Sequence, residues 1–498
     1  MLFQEDHGEG FIAIPLPILP GTVDFKAYEL LLQKIDQILI QSGLEDKLGA
    51  FVLESQTQNI TPDEVIDVAH HRRYAAIALR CNIARFLSRE SYRSFSVRLG
   101  DSILLRQFCG YNSPYAPKTT PSKSTLQRFE NCFTTDQMKE VIEILLSSAA
   151  DEKSKLNNKT DGLFMPIDSE IMLLDSTCMK LDIHFPTDWV LLRDCLKSII
   201  QSIICIRKAG INYRMDDPNS FISNINKLSM KMTQVANTVD AKKQRKAILR
   251  EMKKLLKRVT AHGERYLKLI KTDGQNHGLS EAQINQISNK LKHTIGLVPH
   301  VIEQAHERII GGRQVDNKDK LLSIHEEHAQ VYVRGKAGAK TEFGLQLLIG
   351  ENLDGLITLW ELVDGAPKKD TKHVDGIIEK IETLPKILKP SQLVGDRGFY
   401  SASSEKKINE ADLVSNMCPL NPKELAARLG EESFAGLMKR RAQSEARIGI
   451  VKNKFLGGKL TSKGYEHQNL QVAWAVLTHN LWVLARMPYH DLLEDNVA

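Results

Sequence analysis

Cysteine is scarce in this chain, and its few copies follow no pattern. The seven cysteines among 498 residues are odd in number, and no Cys-x-x-Cys pair occurs. This distribution indicates neither a disulfide framework nor a cysteine-based zinc site, and it fits a reducing, intracellular compartment. The seven positions are Cys81, Cys109, Cys132, Cys178, Cys195, Cys205 and Cys418.

The sequence also lacks a long apolar run. None approaches the roughly 20 apolar residues that are needed to span a bilayer. The nearest, residues 197–206, is interrupted by polar residues and predicts a buried helix. The first residues, Met1 to His7, lack the basic start and the apolar core of a signal peptide. We therefore expect a cytoplasmic protein without a membrane span.

Net charge is modest, at +6 for 498 residues, so charge alone does not identify a polyanionic partner. The length is too great for one ordinary core and predicts two or three domains. The hydrophobic content of 42% and the charged content of 26% are those of a globular protein. The local distribution of charge is therefore more informative than its sum.

Arginine recurs through the helical pattern of the first 150 residues. Apolar positions from Phe25 to Ile40 have helical spacing, and the later short helices are separated by turns. Residues 122–129 predict a loop followed by a capped helix that opens with polar and basic side chains. Such helices suit phosphate contacts and major-groove docking, but a solvated helical face and ordinary capping explain the same residues. The arginines are Arg72, Arg73, Arg80, Arg85, Arg89, Arg93, Arg98 and Arg106.

Residues 187 to about 310 have strongly helical spacing and include one very basic segment. Between Lys242 and Arg258, nine basic residues accompany a single acid, Glu251. Such a run usually marks a solvated or coiled-coil face, but in a protein that handles nucleic acid it can serve as a phosphate track. The sequence leaves both interpretations open.

The periodicity becomes strand-like in the last third of the chain, and a similar apolar strand lies earlier. Strands separated by helices predict an α/β core that is interrupted by the helical residues 187–310. Two apolar strands are expected to end in aspartates, Asp175 in Leu-Leu-Asp-Ser-Thr and Asp396 in Val-Gly-Asp-Arg-Gly-Phe. Carboxylates at such strand ends lie where open α/β sheets bind their ligands. Residues 180–188 predict a further extended segment, and residues 469–485 predict a helix that packs onto the sheet.

A third carboxylate, Glu445, lies in a basic helical segment. On a helix, Arg441, Glu445 and Lys452 fall on one face. Residues 439–459 hold seven basic residues and this one acid, so pairing with Arg441 within the helix would also explain Glu445. Together with the two strand-end aspartates, Glu445 would supply the oxygen ligands that Mg²⁺ prefers. Two such ions can assist an in-line phosphoryl transfer.

The spacing of this segment resembles a motif of DDE-class insertion-sequence transposases of the bacterial and archaeal type. Their third carboxylate lies in Tyr-x2-Arg-x3-Glu-x6-Lys. Arg441, Glu445 and Lys452 match that spacing, whereas Met438 stands at the tyrosine position. The two strand-end aspartates match the first and second carboxylates of the class.

The resemblance implies an architecture. Arg334-Gly335-Lys336 resembles the strand region of one subset of these transposases, and residues 99–129 resemble their DNA-binding region. We expect a ribonuclease-H-like mixed sheet flanked by helices in a catalytic domain of residues 165–490, interrupted by the helical insertion at 187–310. Residues 1–150 would form an all-helical region that recognises terminal repeats.

The same resemblance implies the chemistry. The protein would bind terminal inverted repeats, cleave DNA at the ends of its element and join the 3′-hydroxyl ends to target DNA. Asp175, Asp396 and Glu445 would hold two Mg²⁺ or Mn²⁺ ions, and Arg441 and Lys452 would contact the DNA. The enzyme would act as a homo-oligomer on paired ends, associated with the nucleoid.

Two alternatives remain open. A non-catalytic, DNA-binding derivative would recognise the repeats without cutting them, and a ribonuclease-H-like nuclease would cut without strand transfer. Other candidate ligands are three aspartates, of which Asp188 also has the position of a helix cap, and two histidines that lack the His-Glu-x-x-His spacing. These residues are Asp182, Asp188, Asp194, His325 and His328.

Overall fold

A computed structural model describes residues 20–57, 68–112, 117–157, 162–235, 240–333 and 341–488. By its internal contacts the chain divides into two compact units. The first unit comprises Met1–Lys180 and Gln346–Ala498, and the second comprises Leu181–Leu345. The predicted resemblance at Arg334-Gly335-Lys336 lies outside the described residues.

The first unit begins with seven helices. The predicted helix at 25–40 is present as α1, and Ser122 caps α6 by accepting from the backbone N–H of Thr125. A reciprocal capping box of Thr134 and Gln137 starts α7, as this spacing of Thr and Gln favours. The helices are α1 (Val23–Ser42), α2 (Leu44–Thr57), α3 (Val68–Ser88), α4 (Tyr92–Asp101), α5 (Ile103–Phe108), α6 (Lys123–Glu130) and α7 (Thr135–Ala150).

Two of the recurrent arginines hold these helices together. Arg80 is 1% exposed, and its guanidinium pairs with Asp36 and Glu45, each at 2.5 Å. Arg85 pairs with Glu130, which is also buried. Neither a phosphate contact nor a solvated face describes these two side chains, because burial of a charge requires an internal partner.

Among the described residues, the strands form one seven-stranded mixed sheet. Its order is β2-β3-β1-β5-β6, with β4 also paired to β3 and β7 to β1. β1, β5 and β6 are parallel neighbours, whereas β2, β3 and β4 pair antiparallel. The strands are β1 (Ile171–Leu181), β2 (Gln330–Val333), β3 (Thr341–Glu351), β4 (Ile357–Val363), β5 (Gln392–Gly395), β6 (Val414–Met417) and β7 (Lys459–Leu460).

Helices cover the parallel strands of the first unit. Buried side chains of α12 (Val374–Thr383) and α13 (Ala402–Glu410) share an apolar cluster with β1, β5 and β6. The predicted extended segment at 180–188 is wrong. Its first two residues complete β1, residues 183–187 form no strand, and a helix begins at Asp188.

The remaining helices of the first unit are α14 (Pro422–Arg428), α15 (Glu432–Ile450) and α16 (Tyr465–Leu484). A short π-helix, Val451–Phe455, follows α15 directly. The prediction that the last helix packs onto the sheet is confirmed, because the Asn480 amide bonds both the N–H and the carbonyl of Ile357 in β4, each at 2.9 Å. On another side, the indole of Trp474 donates to the Glu130 carbonyl in the N-terminal helices.

The second unit is mainly helical, as predicted for residues 187–310. Its helices are α8 (Asp188–Lys208), α9 (Pro218–Gln234), α10 (Ala241–Asp273) and α11 (Glu281–Ala305). The apolar run at 197–206 lies within α8, where Ile199, Ile200 and Ile203 are fully buried. In the described ranges, no helix is both long and apolar enough to cross a membrane.

Helix α10 separates its charged and apolar residues cleanly. Its buried side carries Leu249, Met252, Leu256, Val259, Tyr266 and Ile270. On the opposite side, basic residues recur at spacings of three, four, seven and eleven positions and are exposed. We call this surface the basic stripe of α10, and it consists of Lys243, Arg250, Lys254, Lys257 and Lys268.

Candidate active site

Asp175 lies in the middle of β1 and not at its end. β1 continues beyond Asp175 to Leu181, so the predicted strand end is wrong. The three residues before Asp175 are buried, whereas Asp175 itself is half-buried. The backbone N–H of Ser176 donates to its Oδ1 at 2.7 Å. The strand therefore fixes this carboxylate at a point that solvent partly reaches.

The pairing of β1 with β5 brings Asp175 beside Asp396. The two strands are parallel, and Leu173 pairs with Val394. The same register, continued by two residues, sets Asp396 next to Asp175. Because side chains alternate between the two faces of a sheet, residues that share a register in parallel strands point the same way. Two carboxylates that are far apart in sequence thus become neighbours.

Asp396 opens a tight turn directly after β5. Its Oδ1 accepts from the Gly398 N–H at 2.7 Å, and its carbonyl accepts from the Phe399 N–H at 3.2 Å. This is the local bonding that favours aspartate in turns. Phe399 is 1% exposed and anchors the turn in the core.

Helix α15 carries Glu445 and is fixed to the sheet by one buried ion pair. Arg440 binds Glu351 of β3 at 3.1 Å and the carbonyl of Leu353 at 2.8 Å. The Ser444 hydroxyl donates to the same Glu351 carboxylate at 2.7 Å. Arg440 and Ser444 are four residues apart and so share one face of the helix. Their anchoring sets the rotation of α15, and with it the direction of Glu445 one residue further on.

The neighbouring charges act on Asp175. Burial raises the pKa of Asp175 to about 6. The hydrogen bond from Ser176 and the positive charge of Arg441 oppose this rise, whereas the negative charges of Asp396 and Glu445 add to it. The three predicted carboxylates and Arg441 therefore lie within one electrostatic neighbourhood, although Glu445 itself is exposed.

A fourth carboxylate, Asp370, belongs to the same neighbourhood and was not predicted. Its Oδ1 accepts from the Ser176 hydroxyl at 2.7 Å. Burial raises the pKa of Asp370, the Ser176 hydrogen bond lowers it, and the charge of Asp396 raises it further. In the sequence, Asp370 is one of two acids, with Asp364, in a polar loop between a strand and a helix. No local pattern distinguishes it from an ordinary loop residue.

Lys452 lies in the π-helix after α15 and binds the strand that carries Asp175. Its Nζ donates to the carbonyl of Cys178 at 2.5 Å and contacts Oγ1 of Thr177 at 3.5 Å. The structure thus brings Lys452 close to the site by way of β1. Its predicted contact with DNA stays a prediction.

Two of the other aspartates that the sequence offered as metal ligands form ion pairs or hydrogen bonds within the second unit. Asp188 is the first residue of α8, and its carboxylate accepts from Gln304 and from Arg308. Thr187 holds the cap position that the sequence favoured for Asp188. Asp194 pairs with Arg193 at 2.9 Å.

The donor chemistry of the first unit suits a hard divalent cation. Asp175, Asp396, Glu445 and Asp370 offer only oxygen ligands, which Mg²⁺ and Mn²⁺ prefer. A Cβ at Gly398 would lie 2.5 Å from Oδ2 of Asp370 and 2.9 Å from Oδ1 of Asp396, so two carboxylates border one small space. Over the described part of the chain, no group of three or more His, Cys, Asp or Glu side chains is already arranged to hold a metal ion.

One comparison with known proteins gives a match. Residues 319–481 match the family model described as "Transposase DDE domain". This segment contains Asp396, Arg441, Glu445 and Lys452, and it does not reach Asp175. No curated protein and no solved structure matches the chain.

Proposed function

We propose that the chain is an active DNA transposase of the DDE class, because residues 319–481 match the model of a transposase DDE domain. It would bind the terminal inverted repeats of a mobile element, cleave DNA at the element ends and join the 3′-hydroxyl ends to target DNA. The observation that carries this proposal is the shared electrostatic neighbourhood of Asp175, Asp396, Glu445 and Arg441. The family match covers three of these residues, and the register of β1 and β5 adds the first.

The three carboxylates would hold two Mg²⁺ or Mn²⁺ ions. When bound, such ions stabilise the charge on the attacking and leaving oxygens of an in-line phosphoryl displacement. Asp175 and Asp396 are fixed by hydrogen bonds to backbone N–H groups, which orients them in advance. Glu445 is exposed on α15 and would complete the ligand set from the other side.

Arg441 supplies the positive charge of the site. It lies near enough to Asp175 to lower the pKa of that carboxyl. A guanidinium in this position would bind a phosphate of the cleaved strand, since its planar donors match phosphate oxygens. Lys452, in the π-helix, would contact another phosphate of the DNA near the site. No nucleotide energy source is needed, because each step exchanges one phosphodiester for another bond.

We propose the ribonuclease-H-like fold for the catalytic domain, residues 165–490. The parallel pairing of β1, β5 and β6 beside the antiparallel β2, β3 and β4 is consistent with it. Within this scheme, residues 187–310 are an insertion into the catalytic domain. Residues 1–150 would recognise the terminal repeats.

The basic stripe of α10 supports a polyanionic partner. Its five side chains are exposed on one side of a long helix, as a track along a DNA backbone requires. This surface would add affinity without sequence preference. We also propose that the enzyme works as a homo-oligomer on paired ends and is associated with the nucleoid.

The test is an end-cleavage assay on the DNA that flanks the gene, where the proposal expects terminal inverted repeats. In Mg²⁺ or Mn²⁺ the protein should cut at the repeat ends. Asp175→Asn, Asp396→Asn and Glu445→Gln should each slow cleavage by at least about 100-fold and leave repeat binding in place, because each removes charge stabilisation needed in the transition state. The control is Glu410→Gln, which removes an exposed carboxylate paired with Lys406.

Each alternative has its own outcome in this assay. Repeat binding without cutting would favour the non-catalytic derivative. Cutting without the joining of pre-cut ends to target DNA would favour a nuclease. If all three variants cut at the wild-type rate, the assignment of the site is wrong.

A further inference from the structure

Gly398 keeps a gap open between two carboxylates. Oδ2 of Asp370 and Oδ1 of Asp396 lie 2.5 and 2.9 Å from the point that a Cβ at residue 398 would occupy. Any larger residue would displace one of them. The φ angle of Gly398 is outside the left-handed region, so the backbone does not require glycine here. The space between the carboxylates is what its small size preserves.

Ser176 orients Asp370 and Asp175 together. Its hydroxyl donates to Oδ1 of Asp370 and its N–H to Oδ1 of Asp175, each at 2.7 Å. Gln346 makes a longer bond to the same Asp370 oxygen, at 3.4 Å. Within the described ranges, no donor reaches Oδ2 of Asp370, the oxygen that faces Gly398. One oxygen serves for orientation, and the other faces the gap.

The usual structural roles of a loop aspartate do not account for Asp370. It opens the short 3₁₀ helix Asp370–Lys372, whose cap residue Lys369 makes no capping hydrogen bond through its side chain. Helix α12 is preceded by His373, also without a side-chain cap. In the described chain no Lys or Arg pairs with Asp370. A half-buried anion that is oriented toward a second anion is costly unless a cation joins them.

We propose that Asp370 is a fourth carboxylate of the catalytic centre and binds a divalent cation jointly with Asp396, with Ser176 as its positioning residue. The identity of the centre rests on the proposed function. A cation between the two carboxylates would replace their repulsion by attraction. The resemblance that predicts the other three carboxylates does not include this ligand.

The first test measures Mn²⁺ binding to the full-length protein by calorimetry in the absence of DNA. Asp370→Asn keeps the shape of the side chain and removes its charge, and it should weaken Mn²⁺ binding by about 10-fold or more. The matched control is Asp375→Asn, five residues along the chain, where an exposed carboxylate pairs with Lys407. This control should bind Mn²⁺ like the wild type. Equal affinity in both variants would overturn the inference.

A second test asks for direct ligation. Asp370→Cys replaces the oxygen ligand by a thiolate, which prefers Cd²⁺. Addition of Cd²⁺ should produce a thiolate charge-transfer absorption that exceeds the background of the native cysteines. Asp375→Cys should produce no such excess, and an equal signal in the two variants would contradict ligation by residue 370.

Gly398→Ala keeps the test decisive if Asp370→Asn does not fold. It retains every carboxylate but fills the gap, so it should weaken Mn²⁺ binding as well; unchanged binding would count against the site. The two proposals can fail separately. Wild-type Mn²⁺ affinity in Asp370→Asn together with inactive Asp175→Asn would remove only the fourth ligand. Weakened Mn²⁺ binding in a protein that cuts no repeat ends would remove only the transposase function.

Discussion

Two helices of this protein have similarly basic sequences and use them in opposite ways. Helix α15 turns Arg440 inward, where it pairs with Glu351 and is only 16% exposed. Helix α10 turns its basic stripe outward into solvent. In α15 a neighbouring arginine, Arg447, also packs closely against Gly355, where no side chain is in the way.

The difference lies in what each helix packs against. α10 packs through an unbroken apolar side, so its charges can remain in water. α15 packs against a strand end that carries a buried acid, and a buried charge must be paired. A basic run in a sequence therefore does not reveal whether it stabilises the fold or remains available to a ligand.

The largest effect on stability is expected when the buried ion pair of Arg440 and Glu351 is broken. Glu351→Gln leaves Arg440 buried without its counter-charge and should lower the free energy of unfolding by about 3 kcal/mol. Urea unfolding followed by tryptophan fluorescence measures this. The matched variant Glu264→Gln removes an exposed acid of α10 and should change stability by no more than about 0.5 kcal/mol. Equal stability of the two variants would show that the buried ion pair of α15 stabilises the fold no more than an exposed charge of α10 does.

The next effect depends on pH and is expected from His479, which is fully buried and lies near Arg447 of α15. Burial lowers the pKa of His479 to about 4, with a contribution from Arg447. The folded state holds this imidazole neutral, whereas the unfolded chain binds a proton below its ordinary pKa of about 6.5. Stability should therefore fall as the pH falls from about 6.5 to 4, by at most about 3 kcal/mol for this group. Unfolding of His479→Gln across that range should lose this part of the pH dependence, and an unchanged dependence would refute the assignment.

The smallest effect is expected at the basic stripe of α10, and it concerns the affinity for DNA rather than the stability of the fold. Arg250→Gln, Lys254→Gln and Lys257→Gln combined should weaken binding to DNA of any sequence by about 10-fold. The salt dependence of log K should flatten by about 0.9 for each phosphate contact removed. Fluorescence anisotropy at several salt concentrations measures both quantities. A control with the same net charge, Lys227→Gln, Lys231→Gln and Lys290→Gln, removes exposed lysines of α9 and α11. Equal losses in the two triple variants would show that net charge, and not the stripe, binds DNA.

Local spacing was sufficient to predict part of the structure around the candidate site. The turn after β5 with Asp396, and a helix that presents Arg441 and Glu445 together, follow from neighbours a few residues apart. The cap signal in residues 122–129 located the start of α6 for the same reason. These features depend on bonds within one turn of chain, so their residues carry the information themselves.

The parts that were missed depend on contacts between distant residues. β1 continues past Asp175, and β7, from a distant part of the sequence, pairs with this strand. Asp370 is linked to β1 through the Ser176 hydroxyl, and Arg440 turns inward because it pairs with Glu351 of β3. The spacing of residues within one segment does not reveal which distant residues will contact it in the folded protein.

The bonding of α16 has a consequence for the order of synthesis. This last helix is contacted from one side by β4 through Asn480 and from another by the N-terminal helices through Trp474. While the chain is being made, the surfaces that receive α16 stay uncovered until residue 484 has been added. The N-terminal helices and the sheet would then complete their folding together, when α16 packs against both. A chain stopped before Tyr465 should be cut rapidly by protease within α3 and α7, and resistance there would show that they mature independently.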